Sequence, residues 1–278
     1  MLRLKSVFLF VWLIACSQIQ AASPLQPGKL SCEYLVNPLG IDIAKPRLSW
    51  TLVSRERNQN QSAYEIIISD DQKVVLAGKG DVWQTGKINS SQNLHIDYGG
   101  RPLKPFTKYF WRVKVYDSLG AASSWSEAAT FETAMLQASD WKARWIGDDR
   151  KQFTKPEDFY QDDPAPLIRH SFNTSKKIAA ARLYVSGLGY YEAYLNGKKV
   201  GDHVLDPGWT TYKKQAFFVT HDLTSLLQQG RNTIGFMLGN GWYNPLPIQL
   251  FGRFNLRDVQ QTGRPCVKAQ VHVVYTDG

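Results

Sequence analysis

Short segments of alternating apolar and polar residues recur along this chain and strongly restrict its fold. In each of two such segments, the apolar residues lie on one face. They are Tyr64, Ile66 and Ile68 in the first segment and Tyr109, Trp111, Val113 and Val115 in the second. A period of two residues predicts half-buried β-strands. Turn signals such as Gly99-Gly100 separate the segments at the spacing of a β-sandwich. The sequence therefore predicts an all-β fold.

A more specific signal precedes the second of these strands. The run Leu103-Lys-Pro-Phe-Thr-Lys-Tyr109 resembles the tyrosine corner of fibronectin type III domains, in which the Tyr hydroxyl bonds back to the backbone of the corner. Together with the strand pattern, this run predicts a fibronectin-III-like or immunoglobulin-like sandwich over residues 28–135.

Residues 136–166 are expected to link this sandwich to a second domain, because a polar stretch with several proline and acidic residues fills their second half. The pairs Asp148-Asp149 and Asp162-Asp163 would suit Ca²⁺, but a solvated loop is the favoured interpretation. Trp141 and Trp145 are expected to anchor the linker onto the second domain.

Strand signals resume at residue 167. The pair Asn196-Gly197, between two alternating segments, predicts a two-residue hairpin turn. A last alternating segment, residues 267–276, runs into Asp277-Gly278, a turn signal that should lead into a partner strand. We therefore expect residues 167–278 to form a second β domain that is incomplete at its C-terminus.

The first 22 residues have the pattern of an export signal. Arg3 and Lys5 supply the positive charges, and the apolar run over residues 7–15 is too short to span a bilayer, which takes about 20 residues. Leu13-Ile-Ala-Cys16 resembles a bacterial lipobox, so we expect lipidation of Cys16; ordinary cleavage near Ala21 or Ala22 is the alternative. The expected location is the periplasm or the cell surface, and the lipidated form would be an outer-membrane lipoprotein.

The formal net charge of +9 raises the question of nucleic-acid binding. Lys and Arg occur singly or in pairs such as Lys198-Lys199, without a basic block, and the chain is expected to be exported. We therefore expect no nucleic-acid partner. Cys32 and Cys266 are compatible with a disulfide in that compartment, but their spacing does not indicate one.

Three motifs in the second half carry a family resemblance: Tyr191-Glu-Ala-Tyr-Leu-Asn-Gly-Lys-Lys-Val-Gly201, Leu205-Asp-Pro-Gly-Trp209 and Gly239-Asn-Gly-Trp-Tyr243. The run from Leu183 to Asn232 resembles the jelly-roll sugar-binding-type domain of many glycoside hydrolases. With the preceding sandwich, and with Trp141-Lys-Ala-Arg-Trp-Ile-Gly147 between them, the order resembles the N-terminal, non-catalytic part of bacterial α-L-rhamnosidases of glycoside hydrolase family 78. The resemblance implies that the second domain is a jelly-roll β-sandwich.

The resemblance also implies a function. Such enzymes are inverting hydrolases that remove terminal α-L-rhamnose from glycans, with an acid and a base carboxylate about 6.5 to 9.5 Å apart in an (α/α)₆ barrel. The barrel follows these β domains in the family, and its acidic motif does not occur in this sequence, so no catalytic residue is assigned here. The expected partners are a rhamnose-containing glycan and that barrel. No cofactor and no metal site is expected.

Five residues are candidates for contact with sugar, because aromatic rings stack on pyranose faces and carboxylate and amide groups bind hydroxyls: Glu192, Trp209, Asn240, Trp242 and Tyr243. Each has a simpler alternative. The carboxylate would face solvent from a strand, the amide would occupy a turn, and the aromatic rings would pack at the rim of the sandwich or against the barrel.

Two other functions remain open from the sequence. The chain could be a free-standing carbohydrate-binding surface lipoprotein, with its site on the loops of the second domain. It could also be a structural or adhesive module without a ligand, a role for which the fibronectin-like half alone would be adequate.

Overall fold

The computed structural model describes residues 23–250, 252 and 254–278. The expected export signal and the lipidation site at Cys16 lie outside these residues. In the described part, strands dominate, and the two α-helices, α1 (Gln72–Leu76) and α2 (Leu256–Val259), are short. Neither has the length or the apolar composition required to cross a bilayer. The all-β prediction is confirmed.

The first domain is a sandwich of two antiparallel sheets. One sheet has the order β1-β2-β6, and the other has the order β4-β3-β7-β8, with β5 also pairing with β3. The strands are β1 (Gln26–Cys32), β2 (Arg47–Val53), β3 (Gln61–Ser69), β4 (Trp83–Gln84), β5 (Ile88–Asn89), β6 (Ile96–Asp97), β7 (Lys108–Asp117) and β8 (Ala129–Glu132).

The core of this sandwich follows the alternation seen in the sequence. Along β7 every second side chain is buried, and Trp111 of β7 and Trp50 of β2 are among the largest buried side chains. The tyrosine corner is present, because the Tyr109 hydroxyl accepts a hydrogen bond of 2.8 Å from the backbone N–H of Lys104. This bond satisfies a backbone donor where the chain turns into β7.

The second domain also has two antiparallel sheets, ordered β13-β10-β17 and β12-β11-β14-β9, with a small β15-β16 hairpin at one end. Apolar side chains of both sheets, among them Leu183, Leu195, Leu238 and Val267, form its core. The strands are β9 (Leu167–Thr174), β10 (Ile178–Leu188), β11 (Tyr190–Leu195), β12 (Lys198–Lys199), β13 (Val219–Asp222), β14 (Gly230–Gly239), β15 (Gln249–Leu250), β16 (Phe254–Asn255) and β17 (Cys266–Tyr275).

Two local predictions for this domain can be compared with the structure. Asn196 and Gly197 have φ angles of 51° and 80°, so both occupy the left-handed region that a tight hairpin turn between β11 and β12 requires. The final alternating segment forms β17, which pairs with β10 from Cys266 to Tyr275. A further partner strand beyond Gly278 stays a prediction.

The segment between the domains is more ordered than the sequence suggests. It contains two 3₁₀ turns, Ala138–Asp140 and Pro156–Tyr160. Arg264 donates two hydrogen bonds to each of Asp148 and Asp163, at distances between 2.9 and 3.1 Å. The solvated-loop interpretation therefore fails for Asp148 and Asp163, because an arginine from the second domain binds the oxygens that Ca²⁺ would need. It agrees with the structure for Asp149 and Asp162, which are exposed.

The two domains meet through a small apolar cluster and an ion pair. The cluster consists of Ala134, Met135 and Tyr184, with Phe106, Trp141 and Phe218 packed against them. Trp141 therefore anchors the linker as expected, whereas Trp145 is 42% exposed. Cys32 and Cys266 belong to different domains, and both thiols are free.

Candidate functional site

Two loops of the second domain meet at the beginning of β11. The backbone N–H of Tyr191 donates to the carbonyl of Asp206 at 2.9 Å, which holds the 202–218 loop beside the strand. Gly189 has a φ of +93°, and a Cβ atom there would lie 2.4 Å from the carbonyl oxygen of Gly239. Only glycine permits this approach, so the 239–248 loop comes to lie next to the first loop.

The junction of these loops presents two stacked tryptophans. The ring centroids of Trp209 and Trp242 are 5.2 Å apart with an interplanar angle of 24°. The two side chains are 53% and 41% exposed. Gln260 donates to the carbonyl of Trp242 at 2.7 Å and fixes the backbone beneath one ring. A flat, exposed aromatic pair can stack on a pyranose ring or pack against apolar protein surface.

Tyr243 has a different environment from its neighbour Trp242. It is 8% exposed, and the Tyr212 ring meets it edge-on at 5.2 Å and 83°. Gly263 is so close that a Cβ atom there would lie 2.6 Å from the Tyr243 hydroxyl. Burial raises the pKa of this hydroxyl. Because its ring is enclosed by protein, Tyr243 supports the loops and has no free face for a sugar, contrary to its selection as a sugar contact.

Asn240 belongs to a network of amide side chains. Its Oδ1 accepts from Nδ2 of Asn244 at 2.9 Å, and Asn244 Oδ1 accepts from both Gln152 and Arg257 at 3.0 Å. The left-handed residue of this turn is Gly241, with a φ of +48°, and Asn240 is not in that region. The Oδ1 atom of Asn240 thus helps to hold the loop. No sequence pattern marks Asn244, whose side-chain partners come from three separate segments.

Glu192 lies on a different surface, the outer face of β11. Its two carboxylate oxygens accept from the Lys199 ammonium at 2.6 Å and the Tyr194 hydroxyl at 2.7 Å. These two hydrogen bonds lower the pKa of the carboxyl group, so it is ionised at neutral pH. The structure therefore brings Trp209 and Trp242 together on the loops. It places Glu192 on the outer face of the sheet that contains β11.

A buried polar pair supports the 202–218 loop from the core side. The hydroxyl of Tyr191 lies 3.0 Å from Nε2 of His221, and His203 is bonded to Asp206 at 2.7 Å in the same loop. Burial lowers the pKa of His221, which favours the neutral ring. Within the part of the chain that the structure describes, no cluster of three His, Cys, Asp or Glu residues could hold a metal ion. The loop surface around Trp209 and Trp242 offers ring stacking and hydrogen bonding, which are interactions that bind ligands.

Comparison with known proteins gives a consistent result for both domains. Residues 27–137 match the family described as the Rha78A-like, N-terminal immunoglobulin domain, and residues 176–278 match the alpha-L-rhamnosidase N-terminal domain. An alpha-L-rhamnosidase of Formosa agariphila is 34% identical in an alignment of 287 residues, and this alignment covers 98% of this chain and 30% of the relative. One from an Alteromonas species is 34% identical over 277 residues, covering 98% of this chain and 29% of the relative.

Solved structures agree with these matches. The alpha-L-rhamnosidase from Dictyoglumus thermophilum superposes with a TM-score of 0.79 at 38% identity, over 90% of this chain and 28% of that one. The enzyme from Aspergillus terreus superposes with a TM-score of 0.76 at 28% identity, over 91% of this chain and 28% of that one.

The two family matches place the chain in a class of sequence, the N-terminal β domains of glycoside hydrolases. More narrowly, the chain belongs to the α-L-rhamnosidase family, whose N-terminal part it matches over nearly its whole length. It spans about 30% of the length of the curated relatives named above.

Proposed function

We propose that this chain is the N-terminal accessory part of an α-L-rhamnosidase, and that its β domains position and stabilise the part that hydrolyses terminal α-L-rhamnose from glycans with inversion. The observation that carries the proposal is the 34% identity to an alpha-L-rhamnosidase over 98% of this chain. The aligned region includes both domains and the segment between them. It therefore supports a shared arrangement of domains, and more than the presence of one similar domain.

The geometry of the described residues suits a scaffold. Glu132 and Arg182 tie the two sandwiches together, and Arg264 ties the intervening segment to the second domain through Asp148 and Asp163. These ion pairs restrict movement of the first sandwich and of the intervening segment relative to the second, as a scaffold requires. The exposed Trp209–Trp242 pair offers this scaffold an apolar contact surface.

The test assays two proteins on p-nitrophenyl α-L-rhamnopyranoside. One is the 278-residue chain, and the other is a longer protein, extended through the downstream coding sequence to the length of the relatives. We expect release of p-nitrophenol by the extended protein and none by the 278-residue chain. Turnover by the shorter chain would contradict an accessory role and would require a carboxylate pair among its own residues.

A second candidate function, a free-standing carbohydrate-binding surface protein, is favoured by the exposure of the stacked pair. Trp209 and Trp242 are 53% and 41% exposed although they are large and apolar, a combination typical of binding surfaces. Calorimetry with rhamnose-containing oligosaccharides tests it. Binding that Trp209→Ala abolishes would support this function, and absence of binding to every oligosaccharide would count against it.

The proposed location is outside the cytoplasm, with a lipid anchor at Cys16. The support is the signal-like run over residues 1–16, in which Leu13-Ile-Ala-Cys16 has the lipobox pattern. Fractionation of cells that express the chain and a Cys16→Ser variant tests the anchor. We expect the unaltered chain in the membrane fraction and the variant outside it; equal partitioning would exclude lipidation at Cys16.

A further inference from the structure

Gly235 occupies the middle of β14, where glycine is unfavourable because it gains no packing and loses more backbone entropy than other residues. A glycine inside a strand usually marks a bulge, a close backbone approach or the approach of a ligand. The register runs without interruption from Tyr194 through Gly235 to Arg169, so there is no bulge. A Cβ atom at Gly235 would have only the carbonyl of Ile168 nearby, at an ordinary 3.7 Å, so no backbone crowds the position.

Gly235 lies in a depression of about 380 Å³ on the outer face of the sheet β12-β11-β14-β9. Tyr194 borders it on one side and Arg169 on the other. One row along, Met237 and Leu167 pair across the same two strands, and they are 44% and 73% exposed. The depression thus has an aromatic wall, a cationic wall and an apolar end.

The aromatic wall is held in place by charge. The Tyr194 hydroxyl donates to Glu192 at 2.7 Å, and Lys199 binds the other carboxylate oxygen at 2.6 Å. A ring fixed in this way presents a flat surface without further loss of rotamer freedom. The carboxylate and the ammonium group also supply an acceptor and a donor beside the ring, which is the pairing that adjacent sugar hydroxyls require.

Arg169 forms no ion pair with any residue that the structure describes. Its guanidinium is nevertheless the fork that binds carboxylates at two points. An unpaired cation beside an aromatic ring selects an occupant that carries a negative charge next to a ring-shaped, partly apolar body.

We propose that the depression over Gly235 binds a uronic acid residue of a glycan, with the pyranose ring against Tyr194, its hydroxyls near Glu192 and Lys199, and its carboxylate on Arg169. This site is separate from the Trp209–Trp242 surface. It does not rest on the proposed hydrolase function, because binding is measured on the 278-residue chain itself.

The experiment is calorimetric titration with trigalacturonic and triglucuronic acid, each compared with its methyl ester. We expect at least one acid to bind and its ester to bind about tenfold more weakly, since the ester keeps the sugar rings and loses the charge. Arg169→Gln should remove the preference for the acid, and Arg169→Lys should retain part of it because the lysine keeps the charge without the fork.

Gly235→Val supplies the decisive variant, because valine places a branched side chain on the floor of the depression and is favoured in strands, so its melting temperature should not fall below that of the unaltered chain. Gly147→Val is the matched control, since a Cβ atom there also has its nearest neighbour at 3.7 Å and lies outside this sheet. We expect loss of binding only in Gly235→Val.

Three results would overturn the proposal: no binding of either acid, unchanged binding by Gly235→Val, or an unchanged acid preference in Arg169→Gln. Self-association of the unaltered chain that Gly235→Val abolishes would also overturn it, by assigning the depression to a second copy.

Discussion

The guanidinium group of Arg182 meets the carboxylate of Glu132 at two points, with Nε–Oε2 and Nη2–Oε1 distances of 2.7 Å each. Glu132 ends the last strand of the first domain, and Arg182 lies in β10 of the second. The two side chains are only 11% and 10% exposed, and Asp222 adds a second carboxylate 2.7 Å from Arg182. An almost buried ion pair therefore forms part of the joint between the domains.

Replacing one partner of this pair should destabilise the protein strongly. Glu132→Gln leaves the buried arginine charge with Asp222 alone, and we expect the free energy of unfolding in urea to fall by about 3 kcal/mol. Lys176→Ala is the control, because its pair with Asp277 is 58% and 57% exposed and should contribute less than about 1 kcal/mol. Equal losses in the two variants would show that the interdomain pair is no more important than a surface pair.

The tyrosine corner gives a second prediction. Tyr109→Phe keeps the buried ring and removes the hydroxyl that accepts from the Lys104 N–H, so we expect a loss of about 1 to 3 kcal/mol in the free energy of unfolding. Tyr160→Phe serves as the comparison, since Tyr160 is 65% exposed, and it should have almost no effect. A Tyr109→Phe protein as stable as the unaltered chain would mean that solvent satisfies the Lys104 N–H equally well.

These features could be predicted because their cause is local in the sequence. The alternation along β7, the corner at Tyr109 and the turn at Asn196-Gly197 each depend on the conformation of a few consecutive residues. The order of the motifs then identified the family. Such signals define strands and turns without any knowledge of what they pack against.

The remaining features depend on residues far apart in the chain. Arg264 pairs with Asp148 across 116 positions and with Asp163 across 101, so no local pattern indicates these two ion pairs. Trp242 and Tyr243 are adjacent aromatic residues, yet one is 41% and the other 8% exposed. Which of them faces solvent is decided by Tyr212 and Gly263, whose proximity is a property of the tertiary fold.

The different environments of those two neighbours give a third prediction. Tyr243→Ala removes an enclosed ring and should cost about 3 to 5 kcal/mol of unfolding free energy, as other buried aromatic truncations do. Trp242→Ala removes a half-exposed ring and its stacking on Trp209, which should cost about 1 kcal/mol. Thermal and urea unfolding of both variants measure this. A larger loss for Trp242→Ala would reverse the assignment of Tyr243 as the structural residue.

The fourth prediction concerns pH and the pair Asp148–Arg264. Hydrogen bonds from Arg264 lower the pKa of Asp148 from its ordinary value of 3.8 to about 2. An acid with a lowered pKa in the folded state stabilises the fold at pH values above its ordinary pKa, and this contribution is lost as the pH falls from 3.8 through about 2. Asp148→Asn should therefore lower the unfolding free energy at neutral pH and lose that effect progressively in this acidic range.

Two further variants make this prediction specific. Asp149→Asn changes an exposed neighbour that also occupies the left-handed region, where asparagine is tolerated, so it should leave the pH profile unchanged. In an Arg264→Gln background, Asp148→Asn should have a smaller effect, because the largest cause of the lowered pKa is already absent and only Arg150 still binds the carboxylate. A difference between Asp148→Asn and the unaltered chain that stays constant from neutral pH down to pH 3 would show that Asp148 acts through its shape and not through its charge.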